Sequence, residues 1–400
     1  MNRSIQFQKK RRSVFRTDAV ATEGIMSIAD LIRSHEAYVM GRPGGCRVAF
    51  RMERMPNLRL INRKLNDIEF VGCDLSHSHF TLSTMRSASL YCASLISVDF
   101  RGVNLERADL RGAILRGANL YRANLDGADF RRAVLFKSER DKELSKMDWV
   151  PDDESRFPDG AVDFRDSSLA GAHFGCAKLA GADFSGALMD GASLSTADLR
   201  GAKFDNAVLS GVVFGNARLD GASFDGALRD PSEALKLRRA EWLEAVRKLD
   251  QYTRTYGQEG GRADLAGSDL RVIGDALAGK GLVGANMRGV CGASVSFAGA
   301  SLVGAVFDGA DLRGANFTGA LLQGVSFRDC DLKHAVFTKA NLTAFVGASG
   351  RKFYPSFDGA QTDGARFDQT QIENGLELAV PVSVNPVPVN PVPGSPVPVI

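Results

Sequence analysis

Residues 100–130 read FRGVNLERADLRGAILRGANLYRANLDGADF. Every fifth residue is large and apolar: Phe100, Leu105, Leu110, Leu115, Leu120, Leu125 and Phe130. Two residues before each of the later ones stands an alanine (Ala108, Ala113, Ala118, Ala123, Ala128), and the residue between is often Asn or Asp, as at Asn104, Asp109, Asn119, Asn124 and Asp129. Glycine often closes the unit, at Gly102, Gly112, Gly117 and Gly127. A period of five fits neither a helix, which repeats at about 3.6, nor a strand, which repeats at about 2. It fits a short extended step followed by a turn. Four such steps close a square coil, and successive coils stack at about 4.8 Å. The large residue fills the axis and the small one lets the wall approach it. Backbone hydrogen bonds then run from coil to coil, so only the two ends are raw edges.

Outward from this stretch, the ladder runs from Phe50 to Leu135. A second runs in a shifted register from Phe164 to Phe224. A third starts at Leu265 and Leu270, slips by two residues, and resumes at Leu277, Leu282 and Met287. Gly292 interrupts it; it continues from Phe297 to Leu342 and ends with Phe357, Phe367 and Ile372. Eighteen of the 24 Phe stand on these ladders, where chance would place roughly five. The structural core is therefore expected at Leu60, Phe70, Phe80, Phe100, Leu110, Leu120, Phe130, Phe174, Phe184, Phe204, Phe214, Phe224, Phe297, Phe307, Phe317, Phe327 and Phe337.

The unit Ala-(Asp/Asn)-(Leu/Phe)-x-Gly, as in Ala108-Asp109-Leu110-Arg111-Gly112 and Ala310-Asp311-Leu312-Arg313-Gly314, resembles the pentapeptide repeat family over most of residues 50–372. The resemblance implies an all-β solenoid, a right-handed quadrilateral β-helix with four pentads per coil and roughly thirteen coils. Together with the interruptions, it predicts two or three stacked segments, with one helix near the N-terminus and one helix between segments.

The expected layout has eight parts. Residues 1–25 form a disordered basic arm, with Lys9, Lys10, Arg11, Arg12 and Arg16 as candidate contacts to an anionic surface. A helical cap occupies 26–47, opened by a capping box of Ser27 and Asp30 and stopped by Gly41 and Pro43. Repeat coils fill 48–135, 162–229 and 263–375. A densely charged insertion loop, 136–161, leaves the rod. A connecting helix and Gly-rich turn take 230–262; Asp230 is the expected N-cap, with Pro231 first in a helix running to about residue 255. Ala234, Leu235, Arg238, Trp242, Ala245 and Leu249 form its stripe. Each helix precedes a Gly-rich turn and a ladder, so each is expected to cover a coil end. Residues 376–400 alternate Val and Pro, which allows neither ladder nor helix and predicts an extended tail.

The chain has 400 residues, 44% of them hydrophobic and 24% charged, with a net charge of +3. That balance argues against a chain-wide acidic DNA mimic and against a strongly basic nucleic-acid binder. The six cysteines are scattered without a CxxC pair, which fits a reducing compartment and a cytoplasmic protein. No apolar run is long enough for a signal peptide or a membrane-spanning helix.

A filled rod has no interior pocket for turnover, so neither enzymatic activity nor a small-molecule substrate is expected. The only metal-like cluster is Cys73, His77 and His79, with Cys73 expected inside and the histidines on different outer positions; no metal or other cofactor is expected. Residues 20 apart should stack, placing Arg111 over Arg131 and Asp205 over Asp225. Seven Arg face four acids in 101–132, and eight acids face five bases in 162–228, so the wall turns from basic to mildly acidic. The favoured function is a non-enzymatic scaffold for a protein partner. The resemblance also implies an alternative, a DNA-mimic modulator of DNA gyrase or another topoisomerase, which needs a longer acidic face than this one. A further alternative is a membrane- or host-directed effector acting through the basic arm.

Overall fold

A computed structural model of the chain describes residues 27–131, 161–347 and 349–372. The basic arm with Lys9, Lys10, Arg11, Arg12 and Arg16, the insertion 136–161 except its last residue, and the Val/Pro tail lie outside the described residues. The chain divides into two compact units, residues 1–228 and 229–400.

In both units the wall is built from parallel bridges between residues 20 apart, such as Asp109↔Asp129 and Asp311↔Asp331. Each coil therefore takes four pentads. Leu110 N–H donates to the Asp129 carbonyl at 2.8 Å, and Asp129 N–H donates back to Ala108 at 2.9 Å. The pentad turns because Ala113 N–H closes on the Leu110 carbonyl at 3.0 Å, with Gly112 at φ 68. A positive φ at the third turn residue is the type II arrangement, which glycine adopts without a Cβ clash.

The large ladder residues make the spine. In the second unit Phe317 stacks on Phe297 and Phe337, each 5.0 Å away and within 7° of parallel. It meets Phe307 and Phe327 edge-on at 6.0 and 5.4 Å. Steps of one coil thus stack rings face to face at close to strand spacing, and steps of half a coil set them on edge. Of the expected core positions, all are buried except Phe214 and Phe224, which are half-buried in the last coil of the first unit.

Three departures from the 20-residue register account for the interruptions. Asn119 pairs with Asp163, so the coils before and after the charged insertion remain in contact. Asp264 pairs with Asn286; the two extra residues are absorbed in tight turns at Leu270–Val272 and Gly274–Leu277. Ser326 pairs with Ser356, and the ten extra residues form a hairpin that the expected run of coils through 263–375 does not contain.

Helix α1, Ile28–Val39, carries the Ser27–Asp30 capping box and buries Leu31, Ile32 and His35 against the first coil. That coil pairs β1 (Ala49–Arg51) with β2 (Glu69–Val71). In the second unit α2 (Glu233–Leu237) and α3 (Arg239–Arg254) replace one continuous helix. The cap is Ser232, whose side chain accepts from Leu235 N–H, rather than Asp230, so Pro231 lies before the helix. Trp242, Val246 and Leu249 of α3 pack into the cluster of Leu265, Leu270 and Leu277, and Asp250 accepts from Gly281 N–H at 2.7 Å. Strand β3 (Asn341–Leu342) pairs in parallel with β6 (Gln371–Ile372), and between them β4 (Phe345–Val346) pairs antiparallel with β5 (Lys352–Phe353). No helix among the described residues is long and apolar enough to cross a membrane.

Candidate interaction surfaces

The outer wall of the first unit is ordered by an Asp-x-Arg pair that recurs within single pentads. Arg101 grips Asp99 with Nε at 2.9 Å and Nη2 at 2.6 Å, while its own N–H donates to Asp99 at 3.1 Å. Arg111 holds Asp109 in the same fork, with both contacts at 2.8 Å, and Arg165 holds Asp163 at 2.9 and 2.8 Å. Arg131 with Asp129 and Arg200 with Asp198 repeat the pattern. The extended step points Asp outward, and the next outward residue is the Arg, so the fork closes without straining the backbone. The Arg101 hydrogen bond holds the Asp99 carboxyl down at about 2. These clamps neutralise much of the local charge and press the guanidinium planes against the wall.

Tyrosines share columns with those planes. Register places Tyr91, Arg111 and Arg131 in one column, with the Arg111 guanidinium 5.4 Å from the Tyr91 ring centre. Half a coil away, on the opposite face, the column of Arg101, Tyr121 and Arg165 has Arg165 at 5.7 Å and Arg122 at 4.9 Å from the Tyr121 ring. Cation–π contacts of this kind keep both groups extended over the surface. The expected stacking of Arg111 over Arg131 is part of the Tyr91 column. Asp205 lies over Asp225, whose N–H donates to the Asp205 carboxylate at 3.1 Å, so this acidic column is partly satisfied by the backbone.

Cys73, His77 and His79 are not brought together. Cys73 is buried in the spine, where desolvation pushes its thiol up to about 12, and both histidines are exposed. His79 Nδ1 lies 3.6 Å from Asp99. Among the described residues no group of three or more His, Cys, Asp or Glu is placed to hold a metal.

Two features escape the sequence reading. His35 is fully buried under α1; its Nδ1 accepts from Val48 N–H at 3.1 Å, which sets the tautomer that donates from Nε2 to the Asn66 carbonyl at 2.9 Å. The second is the hairpin, which places Val346, Phe353 and Tyr354 in solvent.

The pentapeptide repeat family model matches eight copies, at residues 68–107, 99–135, 161–195, 192–228, 293–329 and 310–344. Among solved structures, the chain is similar to HetL, a pentapeptide repeat protein involved in heterocyst differentiation regulation from the cyanobacterium Nostoc. Identity is 20% over 82% of this chain and 99% of that one, with a TM-score of 0.20. It is also similar to full-length QnrB1, a plasmid-mediated fluoroquinolone resistance protein, at 16% identity over 80% of this chain and 94% of that one, with a TM-score of 0.17. A thylakoid-lumen pentapeptide repeat protein of Arabidopsis thaliana is 21% identical over 38% of this chain and 70% of that one, with a TM-score of 0.16. No curated protein matches the chain. On the repeat matches in both units, the chain belongs to the pentapeptide repeat proteins.

Proposed function

We infer that this protein is a non-enzymatic interaction scaffold of the pentapeptide repeat type, built of right-handed quadrilateral coils and working in the cytoplasm on a protein partner. The observation that carries this reading is the pair of Arg–Tyr columns on opposite faces of the first unit, Tyr91–Arg111–Arg131 and Arg101–Tyr121–Arg165. Arg and Tyr are the residue types that anchor protein interfaces, because they bury large planar area at low entropic cost. Their rigid backing by the filled spine reduces that cost further. The partner that fits either column has an acidic face with groups to accept from guanidinium edges.

The test is affinity capture from native lysate with three baits: the full chain, the chain lacking 136–161, and the Tyr121→Ala/Arg165→Ala variant. The expected result is a protein retained by the full chain and lost from the double variant. Identical retained sets on the first and third baits refute the surface. A second reading, modulation of DNA gyrase by duplex mimicry, is favoured by Asp205 lying over Asp225. A supercoiling assay with neither inhibition nor protection ends it.

A further inference from the structure

The hairpin of the second unit is a braced element. Phe345 and Phe353 meet across it with ring centres 6.1 Å apart, and Gly347 N–H donates to the Arg351 carbonyl at 2.9 Å to close its tip. Its base rests on Gly324, where an added Cβ would lie 3.2 Å from the Phe345 Cβ and 3.4 Å from that of Phe353. The Arg351 guanidinium covers one side of the Phe353 ring at 5.2 Å. Despite this bracing the hairpin leaves apolar surface uncovered: Val346 is 45% exposed, Phe353 44% and Tyr354 53%, with Leu321 at 42% on the neighbouring wall. Scattered apolar residues on a surface are ordinary, but four around one rigid projection form a shelf.

The register names the segment that reaches the shelf first. Leu342 pairs with Ile372, so the start of the hairpin and the last described residue before the Val/Pro segment share one corner, one coil apart. The chain then runs through Glu373 and Glu377, opposite in sign to Arg351 and Lys352 on the hairpin, into the Val/Pro repeat. Val-Pro alternation favours a polyproline II helix, at about 3.1 Å per residue, so residues 376–400 span far more than a short hairpin. Aromatic shelves take such segments because rings fit between prolines and little entropy is lost on docking. Tethering at the same corner supplies an effective concentration in the millimolar range, so even a weak contact is occupied.

We propose that the hairpin Phe345–Phe353 with Tyr354 is the docking shelf for the chain's own Val/Pro segment, residues 376–400. The occupied shelf covers Phe353 and Tyr354 and shields the Arg351–Lys352 bond. The competing occupant is the same segment of a second copy.

Two measurements on the full-length chain test this. With p-benzoylphenylalanine in place of Tyr354, irradiation of the dilute protein should give a product of one-chain mass, cross-linked between the shelf and residues 376–400. That product should fall at least about fivefold in a Phe353→Ser background. Separately, trypsin cleavage after Arg351 and Lys352 should be at least about fivefold faster in the Val387→Asp/Val389→Asp chain than in the unaltered chain. Cross-links to the tail only in two-chain products overturn the intramolecular arrangement. No tail cross-link, an undiminished one with Phe353→Ser, or unchanged cleavage rates overturn the shelf itself.

Discussion

Replacing Phe317 by alanine tests the spine directly. The ring is fully buried and is touched on both faces by stacked rings, 5.0 Å above and below, and on its edges by Phe307 and Phe327. Removing a buried Phe side chain costs about 3–5 kcal/mol when the surroundings cannot collapse. Collapse is blocked here because each neighbouring ring is held in its own coil by coil-to-coil hydrogen bonds. Each lost aromatic pair contributes about 0.5–1.5 kcal/mol beyond burial, so the upper end of that range is expected. Each coil contacts only its neighbours, so the loss is concentrated at one place and should split the second unit's unfolding into two transitions. Urea unfolding followed by circular dichroism reads both effects. Thr318→Ala, one residue along on the wall, serves as the control and should cost under about 0.5 kcal/mol. A Phe317→Ala loss below about 1 kcal/mol, or one equal to the control, would refute a close-packed axis.

Burial lowers the proton affinity of His35 below its ordinary 6.5, and Nδ1 must stay unprotonated to accept from Val48. Its contribution is therefore intact above pH 6.5 and is lost as pH falls through the lowered value. Arg47 and Asp67 are the charges that act on it, from opposite signs. The urea midpoint should drop as pH falls below 6.5, and His35→Gln should flatten that drop; an unchanged slope counts against the latch. The Asp99 carboxyl should titrate at about 2 by NMR and move up toward 3.8 in Arg101→Gln, and no movement would dismiss the clamp. Exposed Cys176 should react with a thiol reagent at pH 8, while Cys73 and Cys330, both pushed up to about 12 by burial, should not; equal rates would contradict the packing. Leu82 sits at φ 60 with an exposed side chain. Left-handed backbone costs a non-glycine residue about 1–2 kcal/mol, partly offset by glycine's greater unfolded entropy. Leu82→Gly should therefore stabilise the chain by about 0.5–1 kcal/mol, and a lowered midpoint would argue against strain at that corner.

The period of five was enough to locate the spine, because the large residue of every pentad must point inward for the coil to close. It located two of the three interruptions for the same reason. The charged insertion shifts the ladder phase between Leu135 and Phe164, and the extra pair before Leu277 shifts it by two. The hairpin was hidden because its ten extra residues are two whole periods, leaving Phe357 in phase with Leu342. The signal was present in Gly347 and Lys352 at ladder positions, and in Phe345 and Phe353 off them. The helix cap moved from Asp230 to Ser232 because both residue types cap equally well and the sequence holds them two apart. Stacking of Arg111 on Arg131 was legible from the 20-residue spacing. That each arginine is gripped by an aspartate two residues earlier depends on where outward side chains lie along an extended step, which composition does not reveal.

The hairpin has a practical consequence. Between Leu342 and Ser356 one corner of the wall accommodates foreign backbone while Asn341↔Gln371 and Ser326↔Ser356 keep their alignment above and below it. Such a corner is a natural splice point. Loops whose length is a whole number of pentads can be grafted there, or at an equivalent corner elsewhere on the same stack, and new recognition elements added without redesigning the scaffold beneath them.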